Sequence, residues 1–116
     1  MGRLAAMRVK DLAHLQGFEA VLLPDPEREI EGVYIGDLLS WVMGRASSGN
    51  LWITIMSNVN VLAVATLTDV SCVLLAEGVG LDGELVKVAE QKEINVIKTN
   101  LPIYEAALAV RGMTNG

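Results

Sequence analysis

Residues 51–76 read LWITIMSNVNVLAVATLTDVSCVLLA, and this stretch decides the fold. Leu51–Met56 and Val70–Ala76 are short apolar runs rich in β-branched residues, too brief for helices and without polar alternation. Runs of that kind suit strands covered on both faces, as in a parallel sheet. Between them Ser57 and Asn58 punctuate the chain, and Asn60–Leu67 has the length of a short crossover helix. Strand, helix and strand in this order form one right-handed unit of a parallel sheet.

The same rhythm extends outward. Downstream, Gly83–Lys92 reads as a helix with Leu81, Leu85, Val88 and Ala89 on one face. Asn95–Lys98 reads as a strand, and Pro102–Arg111 as a helix with Ile103, Ala107 and Val110 inward. Pro102 suits a first helical turn, where its missing N–H costs nothing, with Thr99 or Asn100 as a cap. Upstream, Asp37 stands where an N-cap belongs, before Leu38, Leu39, Val42, Met43 and Ala46. Glu29–Gly36 suits a strand. Phe18–Leu23 is a strand ended by the stiff turn Pro24-Asp25-Pro26, and residues 8–16 form a short amphipathic helix stopped by Gly17. The prediction is an α/β domain of three layers, α/β/α, with a mainly parallel sheet of about five strands. One domain spans 1–116, with 1–6 and 113–116 as flexible ends.

Composition narrows the function classes. The chain has 116 residues, 52% of them hydrophobic, and a net charge of −5. Its nine Lys and Arg are scattered, so a nucleic-acid backbone would meet no basic stripe. No apolar stretch approaches the roughly 20 residues of a membrane span, and no secretory h-region follows Arg3 and Arg8. The single Cys72 lies in an apolar strand and reads as a buried thiol. With no second cysteine there is neither an internal disulfide nor a thiolate metal cluster, which fits a reducing cytoplasm.

Helix 60–67 departs from the pattern, because Val59, Val61, Leu62, Ala63, Val64, Ala65 and Leu67 leave almost no polar face. A helix apolar all round must be covered on more than one side. Either it is a deeply buried central helix, or a second copy covers it. The favoured expectation is a homodimer with Val59, Val61, Leu62, Val64 and Ala65 at the interface.

Motifs for chemistry are few. Gly78-Val79-Gly80-Leu81-Asp82-Gly83 spells G-x-G-x-x-G after a strand and before a helix. The region some 20 residues on holds Lys98, Thr99, Asn100, Leu101 and Pro102, without the carboxylate that a dinucleotide ribose requires. A glycine-rich turn with Asp82 starting the next helix is the better account. There is no Walker sequence, and the lone His14 has no nucleophile to serve. Zinc lacks both its cysteines and its histidines. No catalytic residue, metal or cofactor is implied. Geometry remains: ligands of open α/β sheets sit beyond the carboxyl ends of the strands, near a topological switch. Those ends are Asp37, then Ser57 and Asn58 with Asn60, then Glu77 and Gly78, then Thr99 and Asn100, each at the start of a helix whose free N–H groups can hold an anion. The competing reading is that these residues only cap their helices.

Several short runs, MRVKDL at 7–12, YIGDLL at 34–39, LWIT at 51–54, NVLAVA at 60–65 and NVIKT at 95–99, occur in an order that resembles the DRTGG domain. That module accompanies some phosphotransacetylases and CBS-domain proteins, and is similar in fold to the N-terminal domain of HPr kinase/phosphorylase. The resemblance implies a regulatory or assembly module without a reaction of its own. The Thr-Gly-Gly-like turn of relatives is here Ala76-Glu77-Gly78, and their histidine before the asparagine-led helix is here Asn58; Asp37 and Asn60 keep the pattern. The expected function is a non-catalytic module that senses a small polar or nucleotide-like ligand, or docks onto a partner enzyme. A ligand-free adaptor is the alternative. A small transferase working from Asp37, Asn58 and Glu77 lacks a general base.

Overall fold

The computed structural model describes residues 7–114. In strand β5 (Leu51–Thr54) and strand β6 (Cys72–Leu75) every residue is buried, as the unbroken apolar runs require. Their side chains alternate between two cores. Leu51, Ile53, Cys72 and Leu74 enter one, and Trp52, Val73 and Leu75 the other. Period-two alternation between two dry faces demands helices on both.

The remaining elements supply them. The order is β1 (Met7–Arg8), α1 (Val9–Ala13), β2 (Phe18–Leu22), β3 (Glu29–Ile30), β4 (Val33–Ile35), α2 (Leu39–Arg45), β5, α3 (Val59–Thr68), β6, α4 (Gly83–Gln91), β7 (Val96–Thr99) and α5 (Ile103–Thr114). The main sheet has five strands in the order β2-β7-β6-β5-β4, with β4 to β7 parallel and β2 antiparallel to β7. Steps from β4 to β7 all run in one direction, so right-handed crossovers place α2, α3 and α4 on the same face. Val42, Leu62 and Ala89 accordingly share the core of Trp52. Helices α1 and α5 cover the other face, through Leu12, Ala106 and Val110. The architecture is the expected α/β/α sandwich.

Local details differ. The expected strand over 29–36 is two strands: β3 pairs with β1 in a separate ribbon, and β4 joins the main sheet. The break falls at Gly32, whose φ of +139° is open to glycine alone. The expected helix over 8–16 holds only Val9–Ala13. Helix α5 continues through Thr114, so its last two residues fall within the segment expected as a flexible end. Residues 1–6, 115 and 116 lie outside the described residues.

Helix α3 needs no second copy to cover it. Val61, Leu62, Val64 and Ala65, expected at an interface between chains, are buried within the chain, while Val59 and Leu67 are exposed. The helix lies against the sheet and beside α2 and α4, whose Val42 and Ala89 close its flanks. The dominant physical term is therefore burial within the domain. Leu62→Ala should cost about 2–5 kcal/mol in urea unfolding, against about 0.5 kcal/mol or less for Leu67→Ala.

Candidate functional site

The carboxyl ends of β4, β5, β6 and β7 form one rim, and most of its expected ligand groups have structural employment there. Asp37 does not cap α2; the N-cap is Leu38, without a side-chain bond. Its Oδ1 instead accepts from Thr54 Oγ1 at 2.7 Å and from the Ile55 N–H at 3.1 Å. The energies explain the choice. Leaving the fully buried Thr54 hydroxyl unpaired costs about 1–3 kcal/mol, whereas a missing N-cap costs about 1 kcal/mol. Asn58 is the N-cap of α3, with Oδ1 accepting from the N–H groups of Asn60 and Val61. Thr99 is buried and donates to the Gly17 carbonyl at 2.7 Å, while accepting from the Leu101 N–H. Asp82 caps α4 by accepting from the Leu85 N–H, as expected.

Glu77 and Gly78 occupy a different kind of place. Both have positive φ, 63° and 80°. The turn they make sends the Glu77 N–H to the Leu101 carbonyl and the Gly78 N–H to the Thr99 carbonyl. Glu77 Oε2 then accepts from the Ile103 N–H, capping α5 from the neighbouring loop in place of Thr99 or Asn100. A carboxylate at a helix N-terminus is favoured by the peptide dipoles.

This turn marks the topological switch. After β6 the chain turns to α4 on one face, and after β7 it turns to α5 on the other. Loops that part between adjacent parallel strands open the crevice in which such sheets bind ligands. Of the expected residues only Glu77, Gly78, Thr99 and Asn100 stand at it. Asp37, Ser57, Asn58 and Asn60 belong to the ends of β4 and β5, where all connections stay on one face.

Lys98, which the sequence reading did not select, and Asn100, expected with Thr99 at the end of the last strand, complete the crevice. Lys98 is half-buried, runs alongside Gly80, and forms no ion pair among the described residues. A Cβ on Gly80 would stand 3.8 Å from Lys98 Nζ, and one on Gly78 would stand 3.4 Å from Asn100 Oδ1. The glycines thus bring backbone close to both polar side chains. Beside them lies an open cleft of about 290 Å³ lined by Gly17, Phe18, Glu19, Lys98, Thr99 and Asn100. Glu19 faces Lys98 across the antiparallel β2–β7 pair. The available signal was a lysine inside an otherwise apolar strand.

The cysteine and the histidine lie apart from this crevice. Cys72 is fully buried, and desolvation pushes its thiol far above the ordinary range. His14 is exposed, with Nδ1 at 2.8 Å from the Lys10 carbonyl. Among the described residues no three His, Cys, Asp or Glu side chains cluster to hold a metal ion, and no helix is long and apolar enough to cross a membrane. Two outcomes follow. Cys72 should stay inert to Ellman's reagent at pH 8 until the chain is unfolded in urea; rapid native-state labelling would contradict its burial. Asp37→Ala should lose about 1–3 kcal/mol of stability, and adding Thr54→Val should recover part of it, because the buried hydroxyl goes too.

No family model matches the chain, and no curated protein matches it in sequence. Among solved structures it is similar to the CBS and DRTGG domains of the regulatory region of Clostridium perfringens pyrophosphatase, a structure containing the activator diadenosine tetraphosphate. The TM-score is 0.72 at 18% identity, over 85% of this chain and 44% of that one. This chain therefore spans less than half the length of that relative. At this identity the likeness is one of fold, and the fold is DRTGG-like.

Proposed function

We propose that the chain is a non-catalytic regulatory module that senses a small anionic, nucleotide-like ligand in the crevice between the carboxyl ends of β6 and β7. The observation that carries this reading is Lys98, a half-buried lysine without an ion-pair partner among the described residues, beside a glycine-rich turn at the switch point. Lys98 would hold a phosphate as a point charge. Asn100 would donate from its amide, and Glu19 would accept from a hydroxyl or amino group of the same ligand. A ligand with an anionic end and a donor end, as in a nucleotide, matches that lining. The cleft volume of about 290 Å³ suits a fragment of nucleotide size. The fold likeness to a regulatory region that holds a dinucleotide activator points the same way. Asp37, Ser57, Asn58 and Asn60 act in this reading as the frame of the rim.

Sensing further requires that the ligand bind two states of the module, or of its complex with a partner enzyme, with different affinity. A cytoplasmic setting accords with a free buried thiol. The competing reading is a ligand-free adaptor, which the engagement of Asp37, Asn58, Glu77 and Thr99 in caps and buried bonds favours.

Thermal-shift titration with adenosine nucleotides, diadenosine tetraphosphate and inorganic phosphate separates the two. The sensor reading expects stabilisation by at least one nucleotide, abolished by Lys98→Met and retained in Asn60→Ala. No stabilisation by any of these probes, with the protein folded, would leave the adaptor.

A further inference from the structure

The segments that wall the crevice between β6 and β7 offer a single basic side chain. They are residues 17–19 at the start of β2, the turn over residues 77–83, and the end of β7. Residues 77–84 carry Glu77, Asp82 and Glu84 but no lysine or arginine, and residues 15–23 and 99–105 carry none either. Lys98 is the one cation of these segments. Helix starts often supply further anion anchors in such folds, through N–H groups left free in the first turn. Here both helix starts at the crevice are occupied by carboxylates of the chain itself. Asp82 accepts from the Leu85 N–H at 2.9 Å on α4, and Glu77 Oε2 accepts from the Ile103 N–H at 3.1 Å on α5. Glu19 adds a third carboxylate directly across from Lys98 in the β2–β7 ladder, and the two form no ion pair among the described residues.

That charge balance limits what the crevice can hold. A terminal phosphate carries about −1.5 to −2 near neutral pH, which the lysine offsets in large part. Each further phosphate brings another negative charge with no cation of the crevice left to meet it. It also brings that charge toward Glu19, Glu77 and Asp82, and like charges beside a low-dielectric wall repel more strongly than in water. Size agrees with charge. A cleft of about 290 Å³ stands at the small end of ligand pockets and leaves little room for a phosphate chain.

We propose that the crevice selects by phosphate number, taking a nucleoside monophosphate in preference to nucleoside di- and triphosphates, with Glu19 as the residue that rejects the longer chains. The inference rests on the sensing function proposed above and names the ligand class of that same site. Calorimetric titration of the full chain with adenosine, AMP, ADP and ATP, and with the guanosine series, tests it with and without magnesium ions. Within the series that binds, the monophosphate should bind at least about tenfold more tightly than the triphosphate, and more tightly than the free nucleoside. Lys98→Met should remove the advantage over the free nucleoside. Glu19→Gln should raise the affinity for the triphosphate more than for the monophosphate. Glu19→Lys, which supplies a second cation, should bring the two within about threefold, with thermal melts showing both Glu19 variants folded. A di- or triphosphate that binds as tightly as the monophosphate, with or without magnesium, overturns the inference while leaving the sensing function standing. A preference that persists unchanged in folded Glu19→Lys overturns the role given to Glu19. Absence of binding by every member of both series removes the sensing function and the inference together.

Discussion

Three successive crossovers taken in the same direction govern this molecule. Strands β4, β5, β6 and β7 are laid side by side in chain order, so α2, α3 and α4 must all lie on one face. The opposite face of the same buried strands needs its own cover, which only the two ends of the chain can supply. Helix α5 therefore turns away from α4 after β7, and α1 joins it. The parting of chain at β6 and β7 follows, and so does the location of the crevice. A different strand order with the same elements would have put the opening elsewhere.

That layering also determines which polar groups remain available. A rim of four helix starts exposes N–H groups that need acceptors, and nearby side chains meet the demand locally. Asn58, Asp82 and Glu77 each serve a helix N-terminus. Thr54 and Thr99 are buried hydroxyls, and their need for acceptors draws in Asp37 and the Gly17 carbonyl. Asn95 does similar work at the other end of the sheet. Its amide binds both the Asp25 N–H and carbonyl and the Ser71 carbonyl, tying the Pro24-Asp25-Pro26 turn to β6 and β7. Nearby, Asp69 ends α3 in the left-handed region, held by Ser48 and Arg28, whose bonds lower its carboxyl below the usual range. With these groups engaged, Lys98 stands out as a charge of the rim without an ion-pair partner among the described residues.

The outer face of α5 shows the converse situation. Along the inner side Ala106 and Val110 complete a core, while Tyr104 and Leu108 stay in water beside an uncovered sheet edge. Apolar surface of that kind contributes stability only when something covers it. The high apolar content, a mean hydropathy of +0.41, is thus only partly absorbed by the two cores.

Much of the architecture was legible from residues 51–76 and their neighbours. Unbroken apolar runs such as LWIT and CVLL can be stable only as strands covered on both faces, so the class and the three layers follow from hydrophobicity and length alone. Local caps were legible too where one side chain serves its own helix, as at Asn58 and Asp82. What the sequence by itself left open were the outcomes set by partners distant in the chain. Helix α3 reads as apolar all round, and only its position between the sheet, α2 and α4 shows that its own chain buries it. Asp37 sits at a helix start, yet a hydroxyl 17 residues away takes its carboxylate. Lys98 and Gly80 become neighbours only because β6 and β7 lie side by side. Periodicity and propensity act over one or two turns of chain, whereas strand order, and with it the crevice and the exposed face of α5, arises from which elements share a face.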